Sequence, residues 1–143
     1  GYVLGICNGF QVLTEMRLLP GALMRNAGLK FNCKTVELKV ATTASAFTQT
    51  YVKGQSLMIP IAHHDGNYTI DAEGLKRLQG EDQIAFTYGQ NPNGSMADIA
   101  GVLSENRRVL GMMPHPERAN DPILGGNDGA GLFAGLMGGM ALA

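Results

Sequence analysis

Two cysteines in 143 residues, Cys7 and Cys33, are too few for a disulfide framework. A bond between them would also consume the more interesting of the two, so Cys33 reads as a reduced structural residue. Histidine is scarce as well: two of the three, His63 and His64, are adjacent and poorly placed to share one ion. With no C-x-x-C and no H-x-x-x-H spacing, no metal site is expected. No stretch of about 18 apolar residues occurs and there is no signal peptide, so no membrane span is expected and the expected location is cytoplasmic. A net charge of −1 gives no reason to expect a nucleic acid or an anionic membrane as partner. The glycine-rich run 125–129 has neither a P-loop lysine nor a G-x-G-x-x-G after a strand, and reads as a structural turn. What remains is an ordinary globular composition, 45% apolar and 16% charged, at a length suited to one domain.

The positive signal begins at residue 5. Gly5-Ile6-Cys7-Asn8-Gly9-Phe10 follows the apolar run Tyr2-Val3-Leu4. It reads as a buried strand, a tight turn with a thiol at its tip, and a helix that starts at once, the G-x-nucleophile-x-G elbow with cysteine in place of serine. Both glycines are expected to be sterically required, because a Cβ beside such a turn would strike the neighbouring strand or helix. The start of the helix is expected to favour thiolate and bring Cys7 below the free-cysteine pKa of ~8.5.

A second constellation lies far along the chain. Val109-Leu110-Gly111-Met112-Met113 reads as a buried strand and stops at Pro114, with His115-Pro116-Glu117-Arg118 next. A histidine just past the end of a buried strand sits where α/β sheets place their chemistry. Glu117 is close enough to hold the ring through its second nitrogen, and the flanking prolines restrict the backbone and disfavour helix. Cys7, His115 and Glu117 then form nucleophile, base and orienter. His115 is preferred over His63 or His64 as base because of that nearby carboxylate.

Between these ends, Val12, Leu13, Met16 and Leu19 recur at helical spacing until Pro20-Gly21. Residues 35–40 alternate as a half-wet, antiparallel strand. Residues 57–62 form a strand whose Pro60 indicates an edge or a bulge. Asp71 caps a short helix through Leu78. Residues 84–88 and 99–103 are strands, and 105–108 a charged hairpin turn. Leu132, Phe133, Leu136, Met137 and Met140 form an apolar helical stripe for core packing, weakened by its glycines.

The elbow continued to Gln11, with the distal His115-Pro116-Glu117, resembles the class I (triad) glutamine amidotransferases. The strings 5–26 (GICNGFQVLTEMRLLPGALMRN), 91–95 (NPNGS) and 111–118 (GMMPHPER) narrow the resemblance to the family of glutaminase subunits of phosphoribosylformylglycinamidine synthase. It implies an α/β fold, an open mixed, mainly parallel, flavodoxin-like sheet with flanking helices, and implies that residues 1–143 are the C-terminal portion of one amidotransferase domain. It implies hydrolysis of L-glutamine through a cysteinyl thioester, with the ammonia passed to a synthetase subunit, a small accessory subunit in the complex, and ATP and Mg on the synthetase rather than any cofactor in this chain. The backbone N–H of Asn8 would hold the oxyanion beside a second donor from a loop upstream of these residues, and Gln11 would contact substrate. The loop Ala62-His63-His64-Asp65-Gly66 is similar to a family loop Ala-His-Gly-Glu-Gly that closes over glutamine, which makes His63 and His64 substrate contacts and makes His64 the departure. Asn91 to Ser95 is either part of a docking surface or a plain Pro-Gly turn. Two other readings stay open: a sister class I amidotransferase serving another acceptor, and a non-catalytic binding module that keeps the motif.

Overall fold

The computed structural model describes residues 1–28, 32–63, 65–119 and 127–142. Among the described residues the strands are β1 (Val3–Ile6), β2 (Ala22–Met24), β3 (Asn32–Val40), β4 (Ser56–His63), β5 (Asn67–Thr69), β6 (Ile84–Tyr88), β7 (Ile99–Leu103) and β8 (Val109–Met112). The helices are α1 (Asn8–Glu15), α2 (Ala72–Gly80) and α3 (Ala130–Leu142), with short 3-10 turns at Met96–Asp98 and Pro116–Ala119. Six strands form one sheet in the order β1-β8-β7-β6-β3-β4, and β2 pairs with β5 separately.

The expected mixed α/β sheet with flanking helices is present. Within the described residues its one parallel pairing is β1 with β8, and the other four in the large sheet are antiparallel. That parallel pair sets Gly5 opposite Gly111, and α1 lies directly on the two glycines. A Cβ at Gly5 would come within 2.4 Å of Leu13 Cδ1, and one at Gly111 within 2.2 Å of Phe10 Cδ1. Two bare strand positions therefore let the helix sit close to the sheet.

Helix α1 is shorter than the apolar spacing suggests. Arg17 adopts φ 62, Leu18 N–H donates to the Leu13 carbonyl at 3.0 Å, and Arg17 N–H to the Thr14 carbonyl at 3.1 Å. This is a Schellman ending with arginine in the left-handed position. The buried face is Phe10, Leu13 and Thr14, while Val12 and Met16 are exposed. Val3 is 45% exposed on an outer strand, so β1 is not the fully buried strand its sequence suggests.

The other expectations on the central elements hold. Strand β3 buries Val36, Leu38 and Val40 and pairs antiparallel on both sides. Strand β4 carries Pro60 on the sheet edge, and the Asp71 carboxylate caps α2 by accepting from Gly74 N–H at 2.7 Å. The β2–β5 pair has no counterpart in the sequence reading.

The core lies on both sides of the sheet. One cluster gathers the inward residues of β3, β4 and β6 with Phe47, Leu110, Met112 and Leu132. The other joins Phe10, Leu13, Tyr68, Leu78, Ile99 and Val102, with Phe10 and Tyr68 stacked at 5.6 Å. Leu132 of α3 is buried, but Met137 is 70% exposed and falls outside the expected core stripe. The glycines of α3 are contact points: a Cβ at Gly135 would meet the Ala46 carbonyl oxygen at 2.5 Å. Thr50 Oγ1 and Gln49 Nε2 donate to the Gly131 and Gly135 carbonyls, each at 2.6 Å.

Candidate active site

Strand β1 ends at Ile6 opposite Met112, the last residue of β8. Cys7 and His115 therefore emerge from neighbouring parallel strands on the same sheet edge. Cys7 N–H continues the ladder by donating to the Met112 carbonyl at 2.9 Å. The backbone then breaks sharply, with Cys7 at φ 57 and ψ −109, and α1 starts at the next residue. This is a strained region for a side chain larger than glycine's, and it is what turns the thiol out of the sheet.

The Cys7 thiol donates to the Ala62 carbonyl of β4 at 3.5 Å. Strands β1 and β4 stand at opposite ends of the strand order, so the sheet curls until its two outer strands meet at the thiol. The expected lowering of the Cys7 pKa is not found. Burial of the half-exposed thiol pushes its pKa up, and this outweighs the Asn8 N–H bond and the nearby Arg118 charge, which both pull it down; Glu117 adds to the rise. An eight-residue helix offers a modest dipole effect against desolvation of a thiolate.

His115 is fixed at three points. Its N–H donates to the Pro60 carbonyl at 2.8 Å, and its carbonyl accepts from Arg118 N–H at 3.1 Å. Nδ1 lies 2.5 Å from Glu117 Oε1. A carboxylate only accepts, so Nδ1 carries the proton and Nε2 is the basic nitrogen. Nε2 is buried and has no hydrogen-bond partner among the described residues. Pro116 does not suppress helix here: it opens the 3-10 turn Pro116–Ala119, a role its fixed φ suits, and that turn brings Glu117 back to the ring.

The remaining expected residues fall in different places. Asn8 is exposed and contributes its backbone N–H at the thiol. The Gln11 amide meets Glu15 at 3.4 Å on the exposed side of α1. His64 lies outside the described residues. His63 is 3% exposed, held by Asn26, whose Nδ2 donates to the His63 carbonyl at 2.8 Å and whose Oδ1 lies 3.1 Å from His63 Nδ1. The ring packs so tightly on Gly66 that a Cβ there would sit 2.3 Å from it. Cys33 is free, as expected, and exposed.

A family model, the CobB/CobQ-like glutamine amidotransferase domain, matches residues 1–125. The chain belongs to this family. The amidotransferase chain is 70% identical over 142 residues to the phosphoribosylformylglycinamidine synthase subunit PurQ of Cereibacter sphaeroides, covering 99% of this chain and 64% of that protein. It is 69% identical over 141 residues to the subunit of the same name from Roseobacter denitrificans, again over 64% of its length. The chain thus spans slightly under two thirds of these curated relatives. A solved structure described as PurLQS from Thermotoga maritima superposes with a TM-score of 0.88 at 41% identity, over 97% of this chain and 62% of that one.

The amidotransferase domain also contains a buried polar network that joins the Ala62–Gly66 loop to Asn26 and to the 91–95 turn. Asn26 Oδ1 accepts from Gly66 N–H at 2.9 Å. Ser95 Oγ, 2.9 Å from the Gly66 carbonyl and 2.8 Å from Asn93 Oδ1, accepts from Tyr68 N–H at 3.1 Å. Asn93 Nδ2 reaches the hydroxyl of buried Tyr88 at 3.3 Å. Asn93 and Ser95 are 1% and 3% exposed and brace the interior, while Asn91 and Gly94 of the same turn are exposed. Asn26 and Ser95 stand inside the two diagnostic strings, but nothing local to them signals partners some 30 to 40 residues away.

Proposed function

We propose that this chain carries the glutaminase site of a phosphoribosylformylglycinamidine synthase, hydrolysing L-glutamine and delivering ammonia to a synthetase partner. The observation that carries the reading is the Nδ1–Glu117 pair of His115, which leaves Nε2 as the basic nitrogen on the sheet edge that bears Cys7. The name shared by the two curated relatives supplies the acceptor reaction.

In this mechanism the thiol leaves the Ala62 carbonyl and gives its proton to His115 Nε2 as Sγ attacks the glutamine carboxamide carbon. The oxyanion accepts from Asn8 N–H; one such donor is worth ~2.7–4 kcal/mol. As the C–N bond breaks, His115 returns the proton to the departing ammonia and a thioester remains. Water then attacks with His115 as base, releasing glutamate and restoring the thiol. Glu117 stabilises the imidazolium between these transfers. Gln11, His63 and His64 would bear on substrate binding, His63 from its buried seat through the backbone. ATP and magnesium chemistry would belong to the synthetase subunit, with a small accessory subunit completing a cytoplasmic complex.

The test is Cys7→Ala in the complete complex. Glutamine-dependent synthesis should vanish while synthesis from added ammonia persists. Glutamine-dependent synthesis at the parental rate would refute the reading. A glutamine-site electrophile should label Cys7 in a manner that glutamine blocks; any labelling of exposed Cys33 should be indifferent to glutamine.

A further inference from the structure

The contact between the Cys7 thiol and the Ala62 carbonyl depends on where the end of β4 is held. Three of the bonds holding it come from one side chain. Asn26 is 1% exposed; its Nδ2 donates to the His63 carbonyl, and its Oδ1 takes Gly66 N–H and faces His63 Nδ1. The amide orientation is fixed by these partners, because a carbonyl needs a donor and a backbone N–H needs an acceptor. Asn26 comes from the segment after β2, outside β4 and outside the residues before β5 that it ties together.

We propose that Asn26 is a positioning residue for the nucleophile: by tying His63 to Gly66 it holds the Ala62 carbonyl, one residue before His63, against the Cys7 thiol. This rests on Cys7 being the nucleophile. Ser95 secures the same turn from the other side through the Gly66 carbonyl. Asn93 continues the support to the buried Tyr88 hydroxyl. The bare Cα of Gly66 is the second requirement, since the His63 ring occupies the space a Cβ would need.

The arrangement affects two readouts in opposite directions. At rest, the Ala62 carbonyl accepts the S–H and its strand helps to bury the sulfur, and both favour the protonated thiol. During turnover the same strand is one wall of the site, and a displacement of about 1 Å in such a wall costs up to ~100-fold in rate. Releasing it should make the resting thiol more reactive and the enzyme slower. The charged and titratable groups that bear on Cys7 are Glu117 and Arg118 after β8 and Tyr88 of β6, and the substitutions below leave these three and His115 in place.

The experiment uses the full chain in its complex, with iodoacetamide alkylation read by mass spectrometry on the peptide that carries Cys7. Asn26→Ala should lower kcat for glutamine at least ~10-fold, with KM changed much less. Alkylation at pH 7 should become faster, and its midpoint should move down toward ~8.5. Asn26→Asp keeps the acceptor but cannot donate to the His63 carbonyl, and should fall between the two. Should Asn26→Ala fail to melt cooperatively, Asn26→Asp and Ser95→Ala carry the same test with the same directions. A kcat within ~2-fold of the parent, or an unmoved alkylation profile, in a folded variant overturns the proposal. A parent complex that hydrolyses no glutamine, while the variants still shift the alkylation profile, would refute the glutaminase reading and leave the positioning role standing.

Discussion

The backbone N–H of His115 donates to the carbonyl of Pro60 at 2.8 Å. Pro60 occupies an outward-facing position on β4, which has no strand beyond it among the described residues. Its outward neighbours behave in the same way: Met58 N–H donates to Asp128 Oδ2 at 2.7 Å, and the Ala62 carbonyl takes the Cys7 thiol. Free polar groups on an edge strand ordinarily invite pairing with another chain. Here they hold the thiol turn, the histidine turn and the start of α3, and proline suits the middle position because it presents a carbonyl with no competing N–H.

His115→Asn keeps that backbone bond, so the fold should survive while the base is lost. Glutamine turnover should fall by ~10²–10⁴-fold with an unchanged melting temperature. Glu117→Gln should cost less, because a neutral amide still accepts from Nδ1–H but no longer balances the imidazolium. His63→Asn should behave differently, lowering the melting temperature because its ring is part of a buried network. Equal kcat losses for His63→Asn and His115→Asn, with both melts unchanged, would contradict these roles.

The two elbow glycines should separate sharply on substitution. A Cβ at Gly5 would lie 2.4 Å from Leu13 Cδ1 and 2.7 Å from the Gly9 carbonyl oxygen, whereas one at Gly9 would meet nothing within 4 Å. Gly5→Ala should therefore destabilise by more than ~1 kcal/mol, as expected of overpacking. Gly9→Ala, inside α1, should leave stability unchanged or raise it by up to ~1 kcal/mol. Denaturant midpoints of the two variants decide it, and a comparable loss at both would mean that the turn differs from the one described.

Much of the chemistry was legible because it is local in sequence. The strand–turn–helix order of the elbow, a strand from Val109 that is one residue shorter than the apolar run and the His115–Glu117 pair are each contained in a few residues, and the structure has all three. The Cys7 pKa was misjudged because burial is a tertiary property, and Gly9 was misjudged because a motif does not say which of its glycines is crowded. The helix end at Arg17 was hidden because arginine is not a usual left-handed residue. Asn26 and Ser95 were quoted within diagnostic strings, yet their partners lie in another part of the chain, so no spacing rule could assign them.

The glycines of α3 should also resist replacement, against their intrinsic propensity. Alanine at position 135 would favour an isolated helix by up to ~1 kcal/mol. In the folded chain its Cβ would press on the Ala46 carbonyl oxygen at 2.5 Å and disturb the Gln49 bond to the Gly135 carbonyl. Gly135→Ala should therefore destabilise, with the helix lifting from residues 46–50. Chemical denaturation would show a lower midpoint, and a higher one would mean that α3 does not dock through its glycine face.

Strain at the nucleophile provides the remaining prediction. Cys7 holds φ 57 and ψ −109, a conformation that costs a residue with a Cβ ~1–3 kcal/mol. Cys7→Ala keeps that Cβ and its strain, while Cys7→Gly removes both. Both variants lose the thiol bond to the Ala62 carbonyl, so that loss cancels when they are compared. Glycine gives back ~0.5–1 kcal/mol through the larger entropy of its unfolded chain. The balance favours Cys7→Gly over Cys7→Ala by up to ~2 kcal/mol in equilibrium unfolding, with both variants inactive toward glutamine. Greater stability of Cys7→Ala, by ~1 kcal/mol or more, would show that the turn relaxes once the thiol is gone and that the strain is held by the Ala62 contact rather than by the elbow backbone.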